Sequence, residues 1–293
     1  MTRWIWLAAL APGAGDLTAQ PYVGSQLGLA LTPALRLVAT DNDWGTRCDL
    51  LINPEGLETG TECDMPPPPT EWTNESGHAT GITAGLTAGY RFGRYRVEVE
   101  YRYRAAPYHD YAPTRIGDAV TAQKADQELE TAVGGAGDVT LHGVFTNLAV
   151  DFRPANRRLT SHVGVGAGVQ RVAIDYFSLW KRNHDPNRIT TFEDAGLRAK
   201  LAGTTTLGSA VLDDTMFSVQ ILGGVDYRVA DRLTIGNTIR YATGLGAFRS
   251  AAREWDQLRS HDSTVGRGSR ILYTVETRDT SAFTMILSLR CGL

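Results

Sequence analysis

Residues 94–104 read R-Y-R-V-E-V-E-Y-R-Y-R, an unbroken alternation of charged and apolar side chains. Successive side chains of a strand point to opposite faces. Tyr95, Val97, Val99, Tyr101 and Tyr103 therefore share one face, and Arg94, Arg96, Glu98, Glu100, Arg102 and Arg104 share the other. Two environments satisfy such a strand. Its charged face can meet water above a soluble core, or its apolar face can meet lipid while the charges line a barrel. The rest of the chain must choose between them.

The chain alternates in the same way seven more times. Residues 20–40 carry Val23, Leu27, Leu29 and Leu31 on one face, with Gly24, Gln26 and Gly28 opposite. Residues 77–92 set Ile82, Leu86, Tyr90 and Phe92 against Thr83, Gly85, Thr87 and Gly89. Residues 139–153 set Val144, Leu148 and Phe152 against Asn147 and Asp151. Residues 159–177 set Val163, Val165 and Val169 against His162, Gly164, Gly166 and Gly168. Residues 214–229, 232–248 and 278–293 follow suit, the last with Phe283, Met285, Leu287 and Leu289 opposite Thr284, Ser288 and Arg290.

The connections decide the matter. Three are tight: Gly93-Arg94, residues 154–158 and Ala230-Asp231. The polar segments 41–76, 109–138, 178–213 and 249–277 are long, and they alternate with the tight ones. Long loops at one end and short turns at the other are the habit of an outer-membrane barrel. A soluble sandwich has no reason to adopt it. The proline run 66–69 excludes a central strand at that point, and residues 118–133 have the composition for a turn or two of helix. The expected fold is all-β: an eight-stranded antiparallel transmembrane β-barrel with four long, mobile, charged extracellular loops and three short periplasmic turns.

Composition agrees where it bears on function. With 29 basic and 32 acidic residues there is no electrostatic case for nucleic acid. No apolar run approaches the ~18 residues of a membrane helix. Arg3 followed by the apolar residues 4–11 reads as an export signal ending near Ala19, which leaves residues 20–293 as the barrel domain. In an exported chain Cys48 and Cys63 can form a disulfide, closing a loop worth about 3 kcal/mol in the chain-entropy picture, with Cys291 left over.

These features together resemble the small OmpA-like and opacity-type outer-membrane β-barrels, a surface-antigen family. The resemblance covers residues 20–293 as a pattern rather than as a shared motif. It implies a monomer in the outer membrane of a Gram-negative cell, surrounded by lipid and lipopolysaccharide. It also implies that the barrel-insertion machinery reads the last strand. That strand usually ends in an aromatic residue in the family, and here it ends in Leu293. Tyr90, Phe92, Tyr95, Phe152 and Tyr227 near the short turns would form one aromatic girdle. Tyr101, Tyr103, Tyr176, Tyr241 and Phe248 would form the other.

The candidate site is the charged interior. Charges in a narrow lumen must be paired, because an unmatched buried charge costs several kcal/mol. Arg94, Arg96, Glu98, Glu100, Arg102 and Arg104 would pair along their strand, Arg96 with Glu98 and Glu100 with Arg102. Asp151 falls opposite the Arg94/Arg96 end and Asn147 near Glu100, while Arg240 and Arg290 add positive charge. The glycines at 85, 89, 164, 166 and 168 leave room for these arms. The expected function is structural and surface-exposed, with a plugged polar lumen and loops that mediate adhesion or another surface contact with an unidentified partner. A narrow channel for small solutes or hydrophobic molecules is the alternative, and a lipid A-modifying enzyme ranks third. No cofactor is expected. The pairs His109-Asp110, His184-Asp185 and His261-Asp262 have metal-ligand chemistry but no fixed mutual distance.

Overall fold

The computed structural model describes residues 19–41, 70–109, 111–117, 119–152, 158–190, 193–255 and 271–293. The strands are β1 (Gln20–Thr32), β2 (Leu35–Asp41), β3 (Thr70–Ser76), β4 (Ala79–Phe92), β5 (Tyr95–Pro107), β6 (Ala112–Pro113) and β7 (Arg115–Ile116), then β8 (Leu129–Phe152), β9 (Leu159–Arg182), β10 (Thr205–Arg228), β11 (Leu233–Gly244), β12 (Phe248–Trp255), β13 (Ile271–Thr277) and β14 (Ala282–Gly292). Helix α1 (Ala119–Glu128) and helix α2 (Ala195–Leu201) lie in the long connections.

Eight strands run antiparallel in the order β5-β4-β1-β14-β11-β10-β9-β8, and β8 pairs back with β5. The sheet is therefore a closed barrel with no free edge. Gly93, at φ +58°, makes the tight β4–β5 turn in a backbone region that glycine enters without strain. Both chain ends of the barrel meet at this turn end, where Leu293 N donates to Pro21 O at 3.0 Å. The outer wall is apolar, and Leu27, Leu86, Ile221, Ile239 and Leu287 all stand exposed on it.

The long connections depart from the expectation of mobile charged loops. Much of their described length is strand. Residues 129–138, 178–182 and 205–213 prolong β8, β9 and β10, and β12-β13-β2-β3-β7 form a second sheet. Pro33, which has no N–H for the ladder, separates β1 from its continuation β2. The second sheet abuts the prolonged strands: β3 packs beside β8, and Arg249 N on β12 donates to Asp214 Oδ2 on β10 at 2.8 Å. The barrel wall thus continues outward beyond the membrane band.

Along β9 the two faces exchange chemistry. Its inward residues begin as His162, Gly164, Gly166, Gly168 and Gln170 and continue as Val172, Ile174, Tyr176 and Trp180. Its outward residues begin as Val163, Val165, Ala167 and Val169 and continue as Arg171, Ala173, Asp175, Phe177, Leu179 and Lys181, where charged side chains first enter the outer face. The switch is level across neighbouring strands. Val144, Val169 and Phe217 are register partners in the last apolar outer row, and His142, Arg171 and Thr215 are partners in the next. Below this level the wall faces lipid and the polar groups turn inward. Above it the wall faces water and encloses a conventional apolar core of Leu37, Trp72, Ile174, Tyr176, Leu212 and Tyr273. Trp72 Nε1 donates to Tyr176 Oη at 2.9 Å inside that core, and the Trp72 and Trp180 rings meet edge-on at 6.0 Å.

Polar composition hid this upper barrel. In β3 only alternate residues, Trp72, Asn74 and Ser76, are buried, and Glu71 and Glu75 occupy the wet face, as Arg36 does in β2. The helical expectation for residues 118–133 corresponds to α1. Its last residue, Glu128, accepts from Thr190 N at 2.8 Å and Thr190 Oγ1 at 2.9 Å, which ties two long connections together. Helix α2 starts on Asp194, whose carboxylate caps Leu197 N at 2.5 Å. No helix among the described residues is long and apolar enough to cross a membrane. The proposed export signal, apart from Ala19, lies outside the described residues, as do Cys48 and Cys63 and hence any bridge between them. Cys291 is a free, exposed thiol.

Candidate functional site: the charged lumen

The inward face of β5 carries the site. Arg96, Glu98, Glu100, Arg102 and Arg104 are all buried there. Arg94 is not: it sits in the exposed turn and lies 5.1 Å from the Tyr95 ring centroid. The turn residue escapes the alternation because its strand has not yet begun.

Arg96 is the hub of a lower cluster. Its Nε lies 2.8 Å from Asp151 Oδ1, and its Nη1 lies 3.2 Å from Asp226 Oδ2 and 3.6 Å from Glu98 Oε1. Arg290 Nη1 reaches Asp226 Oδ2 at 2.7 Å, and Arg91 Nε reaches Asp151 Oδ2 at 3.1 Å. Tyr22 Oη donates to Glu98 Oε1 at 2.5 Å, and His162 Nδ1 lies 3.4 Å from Asp226. Seven strands contribute to this knot. It draws together the Arg94/Arg96 end of β5 and Asp151 as the sequence suggested. Asp226, Arg91, His162 and Tyr22 join it without having been singled out.

An upper cluster centres on Glu100. Arg240 binds it through Nη1 at 2.7 Å and Nη2 at 2.9 Å. Asn147 Nδ2 adds a bond at 2.9 Å, and Gln220 Nε2 donates to Asn147 Oδ1 at 2.6 Å. The expected Glu100–Arg102 pair along the strand does not form. Arg102 turns to Gln220 Oε1 at 2.9 Å and lies 4.4 Å over the Phe145 ring. The cross-barrel partner wins because Arg240 meets Glu100 with two parallel donors, the strong carboxylate geometry. The glycines serve this packing. A Cβ on Gly166 would run into Asn147 Oδ1, and one on Gly89 would meet Tyr22 Oη at 2.8 Å.

Other candidates separate. His184 and Asp185 stay near the 3-10 turn Pro186–Arg188, where Asp185 caps Asn187 N at 3.0 Å. His109 Nε2 lies 3.4 Å from Asp138. Asp110, His261 and Asp262 fall outside the described residues. Among the described residues no three His, Cys, Asp or Glu side chains converge as a metal site. The girdles need one correction: Tyr176 and Phe248 point into the upper core, not outward. Tyr241 and Phe283 do face out together, with ring centroids 4.8 Å apart, and Tyr90 and Phe92 stack at 6.1 Å near the turn end.

No family model and no curated protein matches this chain. Several solved structures are similar to it at low identity. Neisserial surface protein A (NspA) is 12% identical with a TM-score of 0.41, covering 93% of this chain and 97% of that one. The attachment invasion locus protein Ail of Yersinia pestis is 10% identical with a TM-score of 0.31, covering 92% and 97%. The outer membrane protease OmpT of Escherichia coli is 7% identical with a TM-score of 0.32, covering 92% and 97%. The geometry itself carries the assignment. A closed antiparallel barrel satisfies every backbone group without water, and this one presents an apolar band outside and ionised groups inside. The chain is a closed eight-stranded antiparallel β-barrel with the apolar outer band of a membrane-spanning barrel.

Proposed function

We propose that the protein is a structural, surface-exposed barrel whose lumen is closed by its own side chains and whose extracellular barrel extension is the part that meets partners. The observation that carries the closed lumen is the Arg96 knot, in which Arg96 of β5 holds both Asp151 of β8 and Asp226 of β10 while itself 1% exposed. Eight-stranded barrels have interiors just wide enough for side chains to fill. The extension supports adhesion or another surface contact because long connections carried on a rigid scaffold are where binding residues gather. Lipid and lipopolysaccharide surround the wall, the barrel-insertion machinery engages β14, and residues 1–19 direct export. The barrel works as a monomer.

Single-channel recording of the refolded protein in planar bilayers tests the closed lumen. The expected trace has no stable conductance step; a large, persistent one replaces this reading with a channel for small solutes. The lipid A-modifying reading has less support, since His162 is turned into the lumen and His142 Nδ1 lies 2.9 Å from Tyr101 Oη. Lipid A mass spectra from cells with and without the protein would be identical under the favoured reading.

A further inference from the structure

The lumen charges do not balance. Among the described residues the inward carboxylates are Glu98, Glu100, Asp151 and Asp226, against the guanidiniums of Arg91, Arg96, Arg102, Arg104, Arg240 and Arg290. Every carboxylate is already engaged: Asp151 by Arg91 and Arg96, Asp226 by Arg96 and Arg290, Glu98 by Arg96 and Tyr22, Glu100 by Arg240. The surplus falls on two residues, Arg102 and Arg104, which are 2% and 6% exposed and make no ion pair. Arg102 gives one nitrogen to the neutral Gln220 amide, while its Nε and Nη2 are buried without a partner. Arg104 Nε is buried without one as well.

These two side chains are next to each other on the inward face of β5. Arg102 has Gly85 and Gly143 as register neighbours, so neither adjacent strand puts a side chain beside it. Arg104 has Thr83 and Leu141, and Leu141 belongs to the apolar upper core. The pair thus occupies the boundary layer, with the Glu100–Arg240–Asn147–Gln220 cluster below and hydrocarbon above. Burying a cation without a counter-charge is strongly unfavourable. Arginine cannot relieve this by losing its proton, because it stays charged in proteins. Buried guanidinium donors therefore remain without a protein acceptor, and an anion from solution would supply both the acceptor and the missing counter-charge. The side chains packed around the layer limit its size.

We infer that the lumen binds one small monovalent anion of halide size, shared between the guanidiniums of Arg102 and Arg104. It neutralises the seam where the polar plug meets the apolar extracellular core. The chemistry is that of two guanidinium groups carried two residues apart on one inward strand face, toward a spherical anion; the neighbouring Thr83 hydroxyl is already donated to Tyr103 O at 2.9 Å.

Bromide is the probe, because it substitutes for chloride and scatters anomalously. Crystals of the full barrel grown in sodium bromide are expected to give an anomalous peak between the Arg102 and Arg104 side chains. In parallel, the urea midpoint of the detergent-refolded protein is followed in sodium bromide and in sodium gluconate at matched ionic strength. The midpoint is expected to rise with bromide and not with gluconate, and R104Q is expected to lose the difference. If R104Q does not refold, R102Q takes its place in the titration and the wild-type map stands as the deciding readout. Absence of bromide density at this position, or an equal rise in both salts, overturns the inference.

Discussion

Arg240 grips Glu100 through both terminal guanidinium nitrogens, at 2.7 and 2.9 Å, across 140 positions of sequence. The carboxylate is fully buried, and Asn147 completes its shell. Removing one partner leaves a charge in the barrel with no solvent to receive it. Arg240→Met is therefore expected to destabilise the barrel by about 3–5 kcal/mol. The double variant Arg240→Met/Glu100→Gln should recover a large part of that loss. Urea unfolding in detergent, read by the shift between folded and unfolded bands on unboiled gels, measures both. Equal losses in the single and double variants would mean that the pair is not coupled.

The exchange of chemistry between faces predicts opposite outcomes for one substitution at two heights. Val165 stands on the outer wall inside the apolar band, and Val211 stands outside above it, in register with Asp175. Val165→Arg is expected to cost about 2–4 kcal/mol in lipid, the penalty of a cation on a barrel's lipid face near the midplane. Val211→Arg is expected to cost under about 0.5 kcal/mol, as a surface change in water does. Folding titrations into phosphatidylcholine vesicles compare them directly. Similar penalties at both positions would argue against a lipid-to-water boundary between them.

Trp72 is a hinge of the upper core. It is 1% exposed, donates to Tyr176 Oη and packs edge-on against Trp180. Trp72→Ala should cost about 3–5 kcal/mol locally, the range for a truncated buried aromatic. The loss is expected to appear as faster protease cleavage of the extracellular strands. Heat-modifiable migration of the membrane barrel should persist, because the lower ladders do not pass through Trp72. A variant that loses both at once would make the two halves a single cooperative unit.

Glu128 ties helix α1 to the segment carrying helix α2 through Thr190 N and Oγ1. Glu128→Ala removes charge-assisted bonds worth about 1.5–3 kcal/mol each. Hydrogen exchange at residues 183–190 is expected to accelerate while that of β9 below Gln170 does not change.

The glycine at position 166 sets a steric limit on the plug. A side chain there would meet Asn147 Oδ1 and Gln220 Cγ, both members of the Glu100 cluster. Gly166→Val is expected to destabilise by about 1–3 kcal/mol through overpacking. Gly223, which faces outward on the next strand with only distant neighbours, should accept alanine with little change. Urea midpoints of the two variants separate the cases.

The eight-strand barrel, the tight turns at Gly93 and Ala230, the apolar wall and the inward run from Arg96 to Arg104 were legible from the sequence pattern. A strand has a period of two whatever it packs against, so residue order fixes which side chains share a face. Alternation cannot say what lies beyond each face. The same period in β3, with Trp72 turned inward, looked like polar loop because Trp72 is the one apolar residue of its seven, while β2 was read as part of the first strand. The boundary at Gln170/Arg171 emerges only when the neighbouring strands are set in register. Pairing inside the lumen was decided by tertiary structure too. Glu100 chose Arg240 over Arg102, and Asp226 joined the knot from the far wall. A buried charge takes the partner with the best geometry among all strands, and closure of the barrel brings those strands within reach. The sequence by itself determined which residues face in; only the closed barrel decided which of them meet.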